Sequence, residues 1–248
     1  MIVRGGRAIY GESVGILVLD TKFPRIPGDI GNATTFDFPV RYKLVPGATP
    51  EQIVAAPDRA RALLPSFIEA ATELERDGVR AITTTCGFLT VVQDEIAEAV
   101  SVPVITSSLF LVPLLRRMLG PKRTIGVVTA DAQSLSDAHL RAAGIEPGWR
   151  LLVRGMQSSP SFGTILGTGN DPDHALDVDQ VRRDVVAACQ AMQAEAPDLG
   201  AFLFECTNLQ PYATAVQAAT GLPIFGIYHV VNLLHSAAVS PGFTHGYL

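Results

Sequence analysis

Val79-Arg80-Ala81-Ile82-Thr83-Thr84-Thr85-Cys86 is followed, 120 residues later, by Leu199-Gly200-Ala201-Phe202-Leu203-Phe204-Glu205-Cys206. Each stretch is a short apolar run that ends on a cysteine. Ala81 falls on Ala201, and seventeen residues past each cysteine comes a proline, Pro103 or Pro223. Each proline opens another apolar run, Val102-Pro103-Val104-Ile105 against Leu222-Pro223-Ile224-Phe225. Upstream, Gly15-Ile16-Leu17-Val18 has a looser counterpart in Gly126-Val127-Val128-Thr129. The chain writes strand, cysteine, helix, proline, strand twice. The period is too long for a solenoid unit. It predicts a duplicated α/β lobe whose halves are related by a pseudo-two-fold axis.

The rest of the chain fits that plan. Strands are expected over Ser13–Leu19, Phe38–Val45, Val79–Thr85, Val102–Thr106, Thr124–Val128, Trp149–Val153, Ala201–Phe204 and Pro223–Ile227. Several are continuously apolar rather than alternating, as in parallel sheets covered on both faces. Helices are expected over Pro65–Arg76, Leu89–Ala99, Leu109–Leu119, Ala132–Ala142, Val178–Ala194 and Leu209–Ala219. Alternating βα units imply right-handed crossovers and doubly wound sheets. The expected fold is α/β, with two similar Rossmann-like lobes, mainly parallel sheets and an active site in the cleft between them. Residues 1–107 plus 229–248 would form the lobe carrying Cys86, and residues 108–228 the lobe carrying Cys206. The polar stretch Gln157–Asp177 is too long for a plain connector and is a candidate lid or cleft wall.

Composition narrows the function. Hydrophobic residues are 48% and charged residues 17% of 248, enough for buried cores. The net charge is −5 and there is no Lys/Arg run, so nucleic acid is not an expected partner. Met1–Gly15 lacks the long apolar segment of a signal peptide, and no apolar run is long enough to span a bilayer, so a cytoplasmic protein is expected. Three cysteines with no close pair do not make a disulfide framework. No CxxC, HxxxH or carboxylate triad suggests a metal, and no GxxxxGK[ST] or GxGxxG suggests a nucleotide, so no cofactor is expected.

Cys86 and Cys206 each stand where a strand gives way to a helix, the edge at which open α/β sheets bind ligands. Free N–H groups there suit a carboxylate, and the same field is expected to favour thiolate over thiol. Two such cysteines facing one ligand provide a base on one side and an acid on the other. That is the chemistry of proton transfer at a carbon next to a carboxylate, with amide donors stabilising the enolate. Cys189 sits mid-helix among Val185, Ala188 and Met192 and reads as core.

These motifs resemble the cofactor-independent aspartate/glutamate racemase superfamily, which also includes hydantoin racemases, maleate isomerases and arylmalonate decarboxylases. The resemblance covers nearly the whole chain and rests on Thr84-Thr85-Cys86-Gly87 and Glu205-Cys206-Thr207-Asn208. In the latter motif, Cys206-Thr207-Asn208 is similar to the superfamily's Cys-Thr-His or Cys-Thr-Glu. Its racemases keep both cysteines, whereas its decarboxylases typically keep only the one equivalent to Cys206. The resemblance implies an amino-acid racemase or epimerase, an isomerase in which Cys86 takes the proton from the D-enantiomer and Cys206 from the L-enantiomer. Hydantoin racemase, and an arylmalonate decarboxylase-like or maleate isomerase-like enzyme, are the alternatives. A small carboxylate or hydantoin substrate and a homodimer or higher homo-oligomer are implied too.

The departures are specific. Racemases of acidic amino acids usually have Cys-Asn-Thr at the first motif, where this chain has Cys86-Gly87-Phe88. Carboxylate binding would then fall to backbone N–H groups, with Phe88 an apolar wall. Asn208 stands where His or Glu is usual. Asp20 and Thr21 are candidates for holding a substrate amino group, a plain turn being the alternative. Thr85, Gly87, Phe88, Thr207 and Asn208 are candidate substrate contacts. Tyr228 and His229 either face the cleft or start a C-terminal helix. Ser107 and Ser108 read as helix caps. Asp29, Gly31 and Asn32 lie in a loop that either closes over substrate or simply turns the chain.

Overall fold

The computed structural model describes residues 2, 5–54, 57–163 and 171–242. Its strands are β1 (Val14–Leu19), β2 (Val40–Val45), β3 (Ala81–Thr84), β4 (Val104–Ile105), β5 (Thr124–Thr129), β6 (Leu151–Gly155), β7 (Leu199–Phe204) and β8 (Ile224–Phe225). They form two four-stranded sheets, ordered β2-β1-β3-β4 and β6-β5-β7-β8, with every pairing parallel. The duplication reaches the register. Ile82 pairs with Val104 and Thr83 with Ile105, while Phe202 pairs with Ile224 and Leu203 with Phe225. The latter pairs are the former moved along by the same 120 residues that separate the cysteines.

Burial explains the apolar runs. Every residue of β3, β5 and β7 is buried, whereas the edge strands β2 and β6 are mostly half-exposed and carry Arg41, Lys43 and Arg154. Arg41 is tied to Glu12 and Asp77, so the edge charge is locally paired.

The helices are α1 (Pro50–Ile53), α2 (Pro57–Ala62), α3 (Leu64–Asp77), α4 (Gln93–Glu98), α5 (Val112–Leu119), α6 (Asp137–Ala142), α7 (Val178–Glu195), α8 (Ala213–Thr220) and α9 (Ile227–Ala238). In α3, Phe67, Ala70, Ala71 and Leu74 make one buried stripe against the first sheet. The helix ends on Gly78 at φ 103°, a left-handed conformation that suits glycine. In α7 the buried stripe is Val181, Val185, Cys189 and Met192, so Cys189 is core.

Three expected helices begin differently. Leu89–Ala99, Leu109–Leu119 and Leu209–Ala219 are each entered through a 3-10 turn, over Gly87–Val92, Ser108–Leu111 and Thr207–Tyr212. Pro211 lies inside the third turn and has no N–H to give an α-helical ladder. The expected helix over Ala132–Ala142 starts later, at Asp137, under a Ser136 capping box. Helices α1 and α2 were not expected. Their few residues carry no readable apolar period. Of the candidate lid, residues 164–170 lie outside the described residues, as does 243–248 of the proposed first lobe.

The two sheets share an apolar core, since Leu17 and Ile82 of the first belong with Val127 and Leu203 of the other to one buried cluster. Polar bonds cross the same boundary. Ser108 Oγ donates to the Phe204 carbonyl at 2.8 Å, and Thr207 Oγ1 to the Thr85 carbonyl at 2.8 Å. Among the described residues, no helix is long and apolar enough to cross a membrane.

Candidate active site

Cys86 directly follows the Thr85 that extends β3, and Cys206 follows Glu205 at the end of β7. Each is the residue immediately before a 3-10 turn, in extended backbone (φ −146°, ψ 117° and φ −71°, ψ 124°). An extended residue at a turn's entrance aims the turn's first free N–H groups back at its own side chain. The Phe88 N–H reaches the Cys86 sulfur and the Asn208 N–H reaches the Cys206 sulfur.

Both cysteines line one cavity. Thr21, Thr85, Gly87, Phe88, Thr207 and Asn208 line it too. Asp20 does not. Its carboxylate accepts from the Gly47 N–H at 3.2 Å and ties β1's exit to the following loop. The hydroxyls of Thr85 and Thr207 are already engaged, Thr85 Oγ1 accepting from the Leu19 N–H at 3.0 Å and Thr207 bridging to Thr85. Phe88 is buried, its ring edge-on to His139. Of the remaining candidates, Ser107 caps its turn by accepting from the Leu109 N–H, and Tyr228 stacks on Phe36. His229 lies in the first turn of α9 against Phe225, outside the cavity wall.

Three charged residues of the site are not singled out, or are undervalued, by sequence alone. Arg25 lines the cavity, 4.7 Å from the Phe23 ring, and donates to Asp29 at 2.8 Å and Thr21 at 2.9 Å. Asp29 is 3% exposed, and its other carboxylate oxygen accepts from Asn208 Nδ2 at 2.7 Å. Asn208 Oδ1 in turn lies 3.6 Å from Cys206 Sγ. The loop after β1 thus fixes Asn208, and through it the Cys206 thiol, from the opposite lobe. Glu205 is the third. It is wholly buried, and Thr129 Oγ1 donates to one of its oxygens at 2.6 Å. The other oxygen, Oε1, has no hydrogen-bond partner among the described residues. One signal was available: a carboxylate following six residues of a fully buried strand.

The expected lowering of the cysteine pKa values is corrected. Burial pushes the Cys86 thiol up to about 12, the Glu205 carboxylate adds to the rise, and the Phe88 N–H and Arg25 oppose it less strongly. Cys206 is pushed well above a free thiol, first by burial and then by Glu205, against the Asn208 N–H. Desolvation outweighs the turn's field because a thiolate loses much of its hydration here. Both cysteines therefore rest as thiols. Glu205 is itself raised to about 7 by burial, against the Thr129 hydroxyl.

Comparison with known proteins gives this geometry its relatives. No family model matches the chain. A dimethylsulfoniopropionate lyase from Durusdinium sp. clade D is 33% identical over 224 residues, 88% of this chain and 72% of that one. Dimethylsulfoniopropionate lyase 6 from Emiliania huxleyi (strain CCMP1516) is 32% identical over 242 residues, 93% of this chain and 61% of that one, so the chain spans about three fifths of that relative's length. Among solved structures, arylmalonate decarboxylase matches with a TM-score of 0.58 at 15% identity, over 94% of this chain and 95% of that one. A glutamate racemase isoform from Bacillus anthracis matches with a TM-score of 0.59 at 14% identity, over 91% and 82%.

The two-lobed α/β fold, here with a cysteine from each lobe on one cavity, is the fold of arylmalonate decarboxylase and glutamate racemase. The chain belongs to the family of the dimethylsulfoniopropionate lyases. The expectation of an amino-acid racemase, an isomerase, is thereby overturned: the relatives at 27–33% identity are named as lyases.

Proposed function

We propose that this chain is a lyase that eliminates dimethyl sulfide from dimethylsulfoniopropionate, a carboxylate with a sulfonium on its β-carbon. One observation carries the reading: 33% identity to such a lyase over 88% of the chain. The cavity chemistry supports it. A cysteine sulfur removes a proton from the carbon next to the carboxylate, as a superfamily racemase does. The C–H electron pair becomes the new C=C bond, and the C–S pair leaves with sulfur as neutral dimethyl sulfide. The remaining product is acrylate. The cysteine ends as a thiol, its resting form.

Retention of both cysteines, which had favoured racemisation, is compatible with elimination because both reactions begin with the same proton removal. They diverge afterwards. A carbanion with a good β-leaving group expels it instead of taking a proton back. Because the resting sulfurs are thiols, a cysteine gives up its proton to solvent once substrate has bound, and the proton taken from the substrate restores the thiol. Amide N–H groups of the 3-10 turns suit the developing negative charge on the substrate carboxylate.

The test is direct. Purified protein is sealed with dimethylsulfoniopropionate, headspace dimethyl sulfide is measured by gas chromatography and acrylate by NMR. Equimolar release of the two is expected. No dimethyl sulfide above a protein-free control would sink the reading.

A further inference from the structure

We propose that Glu205 selects the cationic end of the ligand, an onium group docking against its free carboxylate oxygen. This deepens the lyase reading and rests on it for the identity of the onium as a sulfonium.

The argument begins with an unmatched charge. Glu205 is 0% exposed and lines the cavity. Thr129 satisfies one oxygen, at 2.6 Å, and Oε1 is left without a partner among the described residues. The cavity's cation does not neutralise it, because Arg25 is committed to Asp29 and Thr21. Cys86 and Cys206, the titratable neighbours, rest as neutral thiols. A buried carboxylate with no counter-ion is costly, and the molecule offsets the cost in part by holding a proton up to pH of about 7. A cation entering the cavity would remove that cost directly.

The fold makes room for this carboxylate. A Cβ on Gly87 would lie 2.1 Å from Glu205 Oε1 and 2.6 Å from the Glu205 carbonyl oxygen. Only a residue without a side chain fits beside Cys86 while Glu205 holds its place. A carboxylate from the opposite lobe takes the space beside Cys86 that a side chain at residue 87 would fill.

The apolar wall around the free oxygen favours an onium over an ammonium with N–H groups. A sulfonium or quaternary ammonium has no hydrogen to donate, so it needs charge and methyl-sized apolar contact rather than directed acceptors. Leu19, Phe23 and Phe88 supply apolar wall in the same cavity. The carboxylate of the same ligand is left to the turn N–H groups, so a zwitterion meets complementary charge at both ends.

The test uses two probes of matched shape. One is 3-(trimethylammonio)propionate, a cation at its far end, and the other is 4,4-dimethylpentanoate, its neutral carbon counterpart. Calorimetric Kd values are measured at pH 8, where Glu205 is ionised, on wild type and Glu205→Gln. Wild type is expected to bind the cationic probe at least tenfold more tightly. Glu205→Gln is expected to abolish that preference and leave the neutral probe within about twofold. Equal affinities in the wild type overturn the proposal, and so does an equal loss of both probes in the variant. If the variant fails to fold, the wild-type ratio alone decides. Dimethyl sulfide release without cation preference would sink this proposal and keep the lyase reading. Cation preference without dimethyl sulfide release would do the reverse.

Discussion

Thr207 donates its hydroxyl to the carbonyl of Thr85 at 2.8 Å, joining the residue after one cysteine to the residue before the other. The bond is buried and spans the two lobes, so the cavity's two sulfurs are set by a contact one residue away from each. Chain order alone would leave that relation free, because the lobes are separate sheets.

Thr207→Val is therefore expected to act on both stability and rate. It leaves the Thr85 carbonyl unpaired and buried, at a cost of about 1–3 kcal/mol. It also frees the cysteines to shift, for a loss in kcat on the order of 10- to 100-fold. Urea unfolding and dimethyl sulfide release measure the two effects. Thr207→Ser, which keeps the hydroxyl, should recover most of both. A valine variant with wild-type kcat would show that this bond does not position the site.

Of Cys86→Ser and Cys206→Ser, the one that removes the base is expected to lower dimethyl sulfide release by roughly 10²–10⁴-fold, the usual worth of a positioned base. Cys189→Ala should lie near wild type in rate, because that sulfur sits in the α7 core stripe. The contrast matters more than any one value. Equal loss in all three variants would point to folding rather than chemistry, and circular dichroism would check it.

The eight strands were legible because parallel, doubly covered strands leave continuous apolar runs, and the duplication was legible because it repeats to the residue. Cys189 was legible as core from its helical neighbours. The 3-10 entries were not, since an apolar stretch such as Gly87–Val92 looks alike in either helix type. Arg25 and Asp29 sit in a loop whose partners come from residue 208, and no local pattern announces such a contact. The direction of the cysteine pKa shifts also needed three dimensions: the turn field is local, whereas burial, and the reach of Glu205 to Cys86, come from the assembled lobes. Reaction type is not written in the cysteine motifs, because racemisation and elimination share their first proton removal and differ in what the substrate carries on its β-carbon.

Thiol reactivity tests the resting state. With Cys86 held up to about 12 and Cys206 also raised, alkylation by iodoacetamide at pH 7 should be far slower than in the urea-unfolded chain, where thiols ionise near about 8.5. The rate in the folded protein should still be climbing at pH 10. Mass spectrometry of labelled peptides follows each cysteine separately. A plateau below pH 8 at either one would mean that a thiolate is stabilised after all.

Gly87→Ala probes the space beside Cys86. Its Cβ would strike both a movable carboxylate and a fixed backbone oxygen, so side-chain rotation cannot relieve the clash. A loss of about 1–3 kcal/mol in stability is expected, with a larger fall in activity than that alone explains. The kcat at full saturation and the urea midpoint separate the two. A variant as stable and as active as wild type would show that the turn and Glu205 are not in close contact.

Glu205 also links stability to pH. Its folded pKa, about 7, lies above the ordinary carboxylate value of 4.5, so the folded state holds its proton more tightly than the unfolded chain does. The stabilisation is complete below pH 4.5 and is lost as pH rises to 7 and beyond. The loss from this one group is on the order of 3 kcal/mol, because a tenfold difference in proton affinity corresponds to about 1.4 kcal/mol. Glu205→Gln has no proton to lose, so it should show a smaller decline over that window and become the more stable protein at pH 8. Urea unfolding of both proteins at pH 4.5, 6, 7 and 8 gives the difference curve, in which all other titrating groups cancel. A flat curve would mean that Glu205 is ionised throughout, and therefore that a partner already neutralises it in the folded protein.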